Sequence, residues 1–566
     1  MKPKPAGTYA ARSRRAALAA AWCAAALAAA GLASAALAST ASAEPDPGSL
    51  SPARTLERRA AQEQAQSESP DSATSLADAR RLADAKKFDE SAGVLRARLK
   101  SDPQDADARS LLARVLAWDR HYDESIAEYR TILAARPDDA FDRAGYARAL
   151  AWSGRAEAAL PEFRRAVRAD STDLETRIGY ARALSWTGDL PAAAMEYRRI
   201  LRANPGYADA WLGYGTVARW RGAPAASDRF LARASGADAE ALGEEREAVH
   251  VALAPSLGTG ITSAQERQYV AGAPDFVIES TGPYVQARTG IERTAIVTAR
   301  AARLAQFERR LGAPVGGTTL NYDLDMSVLR ADALWTRAYP FQLAAGLESR
   351  TIESGSPNVA YPLRGDDRFF GWNTRAWLFA GRWTPALFAH RDYVPIKADG
   401  LTPEILAGRQ TVAGGDLAWQ WSARGSANAG AEHGSYSDGN GRRTFRAGAA
   451  WRLRLARPGV GVDYGISYSD FDSSSTSYFT PLRSTRHAAG IGISGYAEKA
   501  SLDWGARYQF AAVLSSNFDN IYTSTWSGWL NVTALGAIPL GLEASYSRDN
   551  NAYATWFLGA SAAARW

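Results

Sequence analysis

Tryptophan and arginine recur along the first half of the sequence at one fixed interval. Four tryptophans lie 34 residues apart, and an arginine precedes each of the first three by four residues: Arg114, Trp118, Arg148, Trp152, Arg182, Trp186 and Trp220. A spacing of four puts both side chains on one side of a helix. Indole faces suit sugar rings or extended chains, and guanidinium groups suit carboxylates or phosphates. These residues form the candidate ligand-binding set. The alternatives are arginines that only stack on their own tryptophans, or tryptophans that pack between helices.

The same interval predicts the elements that carry these residues. Glycines and aromatic residues keep the phase, two and eleven positions after a tryptophan: Gly154, Gly188 and Gly222, and Tyr129, Phe163 and Tyr197. A period of 34 with helix–turn–helix patterning resembles the tetratricopeptide repeat. The resemblance implies an α-helical solenoid of about five units over residues 72–241, followed by a connector over 242–250. It also implies that the arginine and tryptophan side of each first helix lines the concave surface.

From Val251 onward the hydrophobic period changes to two. One apolar and one charged face on every strand predicts a transmembrane antiparallel β-barrel of about sixteen strands over 251–566. The fold class is therefore a multidomain α + β chain. Strand parity assigns these polar residues to the pore-lining face: Asp416, Gln420, Arg446, Arg452, Asp503, Arg507 and Glu543. Since both charges occur, this face suits a neutral or weakly charged glycan. The alternative is that these side chains pair with one another and close the pore.

The connections between predicted strands set the orientation. Long ones (262–275, 308–321, 354–368, 392–410 and 471–486) alternate with short ones (290–293, 381–382, 422–426, 497–500 and 536–539). Outer-membrane barrels show long extracellular loops and short periplasmic turns. An even strand count returns the chain to the periplasm, the side on which we expect the repeats.

No motif for catalysis or metal binding occurs in the sequence. Gly490–Gly495 fits G-x-G-x-x-G, but it lies in a period-two pattern and opens no helix. The histidines show no ligand spacing, and there is no H-E-x-x-H, Walker A or G-x-S-x-G motif. We therefore expect no enzyme, no metal and no cofactor. A hydrolase with lumen or loop residues as catalysts is the alternative.

Composition and the N-terminal residues bear on the protein's partners and on its cellular location. Lys plus Arg total 66 against 60 Asp plus Glu, a balance that argues against a nucleic-acid partner. A basic start, an Ala/Leu run and Ala41-Ser42-Ala43 predict a signal peptide over 1–43, with a retained transmembrane helix as the alternative. Residues 44–71 are rich in Pro, Ser, Gln and charge and read as a flexible linker. The lone cysteine, Cys23, falls within the signal peptide.

The order of repeats followed by a barrel resembles the exopolysaccharide secretion porins, of the cellulose-operon C type and the poly-N-acetylglucosamine exporter type. The phrases Tyr146–Trp152 and Tyr180–Trp186 are most similar to YaiO-like proteins, and Tyr478–Arg483 resembles a segment of the cellulose-type barrels. The resemblance implies an outer-membrane protein of a Gram-negative-type bacterium that exports or anchors a polysaccharide. Its partners would be outer-membrane lipid, the polymer, and a periplasmic protein, synthase complex or peptidoglycan. The other reading is a structural or receptor protein with a non-conducting barrel.

Overall fold

The computed structural model describes residues 70–270, 273–292, 294–310, 321–355, 367–395, 407–455, 457–473, 482–497, 501–516, 519–534, 538–551 and 553–565. The predicted signal peptide and all but the last two residues of the predicted linker lie outside these ranges. The chain divides into a helical unit and a β unit. None of the described helices is long and apolar enough to cross a membrane.

The helical unit consists of consecutive antiparallel helix pairs. Its helices are α1 (Pro70–Asp84), α2 (Phe88–Ser101), α3 (Ala106–Trp118), α4 (Tyr122–Ala135), α5 (Ala140–Trp152), α6 (Ala156–Ala169), α7 (Leu174–Trp186), α8 (Leu190–Ala203), α9 (Ala208–Trp220) and α10 (Pro224–Leu231), followed by α11 (Ala239–Leu253). The tryptophans at the 34-residue interval end α3, α5, α7 and α9.

Local signals explain why the helices begin and end where they do. The side chains of Asp105, Asp139 and Asp173 cap α3, α5 and α7 by accepting backbone N–H groups of the first turn. Gly154 and Gly188 follow α5 and α7 with φ of 79° and 81°, a left-handed conformation that glycine adopts without a steric cost. The repeat therefore has its own start and stop signals in each unit.

An aromatic side chain fixes each helix pair to the next. Tyr129, Phe163 and Tyr197 are almost fully buried. Each packs on a glycine of the following helix, since a Cβ on Gly145, Gly179 or Gly213 would lie within 3.0 Å of the ring. The 34-residue spacing of these aromatic residues therefore reflects a packing contact that recurs from one helix pair to the next.

The predicted start of the first strand at Val251 was wrong. Helix α11 covers the predicted connector 242–250 and the first residues of the predicted first strand, and β1 begins at Ser256. Residues 239–253 are mostly Ala, Glu, Leu and Arg, which are strong helix formers, and this propensity outweighs the short alternation that suggested a strand at 251.

The β unit is one closed antiparallel barrel in which β1 pairs with both β2 and β16. Its strands are β1 (Ser256–Val270), β2 (Ala273–Ile291), β3 (Ala295–Arg310), β4 (Asn321–Trp335), β5 (Phe341–Gly355), β6 (Asp367–Leu378), β7 (Trp383–Pro395), β8 (Ala407–Gln420), β9 (Gly425–Tyr436), β10 (Gly441–Arg454), β11 (Gly459–Phe471), β12 (Arg483–Ala497), β13 (Leu502–Ser515), β14 (Ile521–Ala534), β15 (Ile538–Asp549) and β16 (Tyr553–Arg565). The predicted count of sixteen is confirmed.

The two ends of the barrel differ in their connections. At one end, here called the short-turn end, at most five residues separate consecutive strands. At the other, the long-loop end, ten or eleven residues separate β3 from β4, β5 from β6, β7 from β8 and β11 from β12.

The predicted long loop at 262–275 was wrong, because β1 continues to Val270. Polar side chains there continue the ladder, as in the pair of Gln265 with Glu279.

Candidate functional site

The outer face of the barrel is apolar. Leu387 is 72% exposed and Leu329 is 62% exposed, although both side chains belong to regular strands. A soluble barrel would not leave a ring of such side chains uncovered, whereas a transmembrane barrel presents them to lipid.

An aromatic belt marks this outer face near the short-turn end. Trp383 and Trp419 stack with ring centroids 5.2 Å apart, and Trp335 meets Phe341 edge-on at 6.2 Å. Trp451 lies on the same face and is 42% exposed. Tryptophan is enriched where a barrel passes from the apolar band to the lipid headgroups.

The inner face carries an ion-paired cluster centred on Asp416. Its carboxylate accepts hydrogen bonds from Arg446 Nη2 at 2.7 Å and Arg375 Nη2 at 3.1 Å. Arg446 also donates to Glu432. The Phe388 ring lies near both guanidinium groups, 5.7 Å from Arg375 and 5.4 Å from Arg446. The register between strands brings Asp416 and Arg446 together. Gly430 on β9 is the cross-strand partner of both residues, and its lack of a side chain leaves room for their contact.

A second cluster lies on β4 and β5. Arg330 Nε donates to Asp332 Oδ2 at 2.7 Å, and Arg350 Nη2 donates to Glu348 Oε1 at 2.9 Å. Asn373 Nδ2 on β6 donates to Asp332 Oδ1 at 3.3 Å. Like the first cluster, this one joins strands that are neighbours or next-but-one, so the contacts run along the wall of the lumen.

The remaining predicted pore residues lie on the same inner face. Arg507 Nη2 donates to Asp463 Oδ2 at 2.7 Å, and Asp503 accepts from Trp529 Nε1 at 3.4 Å. Gln420 donates to the carbonyl of Ser422 at 3.2 Å, at the short-turn end.

Arg452 and Glu543 have the inward parity of their strands, opposite to the exposed Trp451 and Leu542. All seven predicted residues therefore face away from the apolar exterior.

Sequence reasoning missed the partners in these clusters. Arg375, Glu432 and Asp463 complete the ion pairs, but none of them was singled out beforehand. The available signal was their parity within a strand. Which acid meets which base depends on the register between strands, and strand parity alone does not contain that information.

On the helical unit, the predicted arginines have three different environments. The Arg114 guanidinium lies 5.0 Å from the Phe141 ring centre, and its Nε is buried without a hydrogen-bond partner among the described residues. Burial lowers the pKa of Arg114. Arg182 approaches Asp209 at 3.5 Å, whereas within the described part of the chain Arg148 forms no ion pair.

A fourth arginine, Arg80, belongs to the row that Arg114, Arg148 and Arg182 form at the 34-residue interval. Arg80 on α1 precedes Arg114 by 34 residues and is close enough to repel its charge, as is Arg148. The predicted set does not include Arg80, because the first repeat has Asp84 where later repeats have tryptophan. The arginine–tryptophan pair that defines the pattern is therefore absent from this repeat. The like charges of Arg80, Arg114 and Arg148 are partly offset by the nearby Asp142.

The tryptophans of the repeat are partly buried. Trp118 packs 6.3 Å from the Phe88 ring, and Trp152 and Trp186 pack against the buried cluster that includes Tyr129. The indole N–H of Trp220 is buried and has no partner among the described residues. These contacts give the tryptophans a share in the helix packing, and their role in ligand binding stays a prediction.

One carboxylate in this region has an altered acidity. Asp142 is 4% exposed, and its burial raises the pKa of the carboxyl to about 6, although the Ser110 hydroxyl donates a hydrogen bond that opposes the rise. One repeat further along, the Tyr207 hydroxyl donates to Glu175. No cluster of three metal-binding side chains occurs among the described residues.

Taken together, the chain is a tetratricopeptide-like helical protein joined to a closed antiparallel barrel of the transmembrane type, with an apolar exterior and a charged, hydrogen-bonded lumen. No protein-family model and no curated protein matches the sequence. Among solved structures, a bacterial polysaccharide outer membrane secretin is 12% identical, and the match covers 56% of this chain and 99% of that one with a TM-score of 0.40.

The helical part is similar to several tetratricopeptide proteins. YrrB, described as having an unusual peptide-binding site, is 19% identical over 34% of this chain and 98% of its own, with a TM-score of 0.26. The thermophilic protein TTC0263 of Thermus thermophilus is 16% identical over 32% of this chain and 98% of its own, with a TM-score of 0.28.

Proposed function

We propose that the protein is a non-enzymatic outer-membrane conduit that exports or anchors an exopolysaccharide. The observation that carries this proposal is the polar inner face of the barrel, with ion pairs such as Arg446–Asp416 at 2.7 Å opposite an apolar exterior. A barrel of sixteen strands is wide enough to leave an aqueous path. A wall of satisfied hydrogen-bonding groups lets a hydrated glycan slide without a deep binding minimum.

The orientation follows from the connections. Strand β1 starts and β16 ends at the short-turn end, so the helical segment joins the barrel there. Outer-membrane barrels turn their short connections toward the periplasm. The repeats are therefore proposed to be periplasmic.

The repeats are proposed to guide the polymer or to dock a partner. Their first helices carry Arg114, Arg148 and Arg182, which suit carboxylates or phosphates, beside partly exposed tryptophans. The partner would be a synthase, a deacetylase or peptidoglycan. Resemblance to polysaccharide secretion porins supports the polymer.

The second candidate is a structural or receptor protein with a non-conducting barrel. It is favoured by the same ion pairs, because charges such as Arg375, Asp416 and Glu432 already satisfy one another and need no cargo.

Deletion of the gene and complementation separate the two candidates. The conduit predicts that secreted polymer disappears while the envelope stays intact, and that the full-length chain restores secretion. Unchanged secretion, with loss of a protein that co-purifies with the repeats, would contradict the conduit and favour the receptor.

A further inference from the structure

The charges of the barrel are distributed unequally between its two ends. Each end consists of its connections together with the four strand residues nearest to them. Among the described residues, the short-turn end has nine arginines against three carboxylates, Glu292, Asp332 and Asp503. By the same definition the long-loop end has ten arginines against eleven carboxylates. The excess of positive charge therefore belongs to one mouth and is not a property of the whole barrel.

Arg375 faces the lumen and pairs with Asp416, and three further arginines of this end also face the lumen. Arg288 and Arg565 are the cross-strand partners of the same residue, Ser256, on its two sides. Cross-strand partners share a face, and the neighbouring Leu257 is 49% exposed on the outer face, so both arginines point inward. Arg452 has the inward parity of β10, between the outward Trp451 and Leu453.

These three cations have no anionic partner within the described part of the chain. Arg288 donates to the carbonyl of Ala252, which leaves its charge uncompensated. Arg452 and Arg565 form no ion pair there. Deeper in the lumen the pattern changes, because Arg446, Arg330 and Arg507 each have a carboxylate.

The turns add to the positive charge of this mouth. Arg382 and Arg424 lie in these turns and donate hydrogen bonds to the strand carbonyls of Gln420 and Leu453. Side chains on the outer rim can reach lipid phosphates, but the three inward arginines are separated from lipid by the barrel wall. Their ligand must come through the mouth.

We infer that the short-turn mouth is a binding site for an anionic glycan, one that carries carboxylate or phosphate groups along its chain. The inference rests on the proposed function and names the class of its cargo. It differs from the neutral or weakly charged glycan that strand parity alone suggested, because that expectation did not include Arg288 and Arg565 and did not separate the mouth from the deeper wall, where the charges are paired. Arginines without an anionic partner at a channel mouth raise the local concentration of anions, and the effect weakens with salt.

The test measures binding of defined polymers to the full-length protein in phosphatidylcholine nanodiscs, which contain no anionic lipid. Oligomers of polygalacturonate are compared with dextran and with polyglutamate of similar length. We expect polygalacturonate to bind at least about tenfold more tightly than dextran, and the affinity to fall as sodium chloride rises.

Two matched triple variants locate the site. R288Q/R452Q/R565Q should weaken polygalacturonate binding by about tenfold or more, whereas R409Q/R443Q/R483Q, with the same charge loss at the long-loop end, should leave it unchanged. The folded state of each variant is checked by its heat-dependent shift on a gel. The salt series on the wild type tests the inference even where a variant fails to fold.

Equal binding of dextran and polygalacturonate, or salt-independent binding, would overturn the inference, and tighter binding of polyglutamate would overturn the glycan class. These outcomes are separable from the proposed function. A barrel that binds polygalacturonate but never conducts would contradict the conduit alone, and a conducting barrel without anion preference would contradict the inference alone.

Discussion

Asp142 shows how one buried carboxylate makes the repeat unit sensitive to pH. Burial raises its pKa to about 6, whereas an unfolded aspartate titrates near about 3.9. Between these values the folded state holds a proton that the unfolded state has lost, so the free energy of unfolding falls as pH rises from about 4 to about 6 and then levels off.

The Asp142→Asn variant should remove this dependence. We expect the variant to be more stable than the wild type at pH 7.5 by roughly 1–3 kcal/mol, and the difference to shrink toward pH 4.5. Urea unfolding followed by the helical circular dichroism signal measures both. A difference that is the same at the two pH values would show that Asp142 is ionised throughout.

The glycines beneath the aromatic side chains test the packing repeat. A Cβ at position 179 would lie 2.7 Å from the Phe163 ring, so Gly179→Ala forces a buried ring to move and should cost roughly 1–3 kcal/mol. Gly93 is helical and has open space around it, so Gly93→Ala should stabilise by about 0.5–1 kcal/mol. Thermal melting of the helical signal compares the two. Equal effects of the two substitutions would contradict the packing role.

At this scale the sequence was informative about residue types and parity. The phase of Tyr129, Phe163 and Tyr197 and the inward parity of Asp416 and Arg446 could be read directly from spacing. Their contacts could not, because a contact depends on the register of strands and the distance between helices, which arise only after folding.

The helices that carry the arginine and tryptophan row combine packing and partly buried charge on one face. Arg148 has no ion pair within the described residues, whereas Trp186 packs on a buried cluster. Substitution of the two should therefore have different effects.

We expect Arg148→Gln to weaken binding of the secreted polymer by severalfold with melting unchanged within about 0.5 kcal/mol. Trp186→Ala should lower the stability of the helical unit by about 2 kcal/mol or more, because it removes packed aromatic surface. Polymer binding and helical melting are measured on the same samples. Wild-type binding by Arg148→Gln would remove the row from the candidate site.

Element boundaries were the least predictable feature. Helix α11 reaches Leu253 where a strand was expected, and β1 continues to Val270 through an expected loop. In both places the hydrophobic pattern of a few residues predicted one structure, and the surrounding residues or strands favour another. Helix formers dominate the first segment, and in the second the polar residues of β1 are paired on both sides by β2 and β16.

The whole molecule makes a prediction about location. The full-length chain should fractionate with outer membranes and run on gels as a compact species until it is heated, because a closed barrel leaves no strand edge unpaired. Membrane fractionation followed by gels of heated and unheated samples provides the test. Recovery of the intact protein as a soluble periplasmic species would contradict the membrane assignment.

Planar-bilayer recording of the purified full-length protein tests the central claim, passage through the barrel, most directly. A conduit predicts steady single-channel conductance, and neutralising Arg452 or Asp503 at the short-turn end should change that conductance because both side chains face the lumen. A wild-type barrel that is silent, and stays silent after the long loops are deleted, would contradict the conduit and favour the receptor.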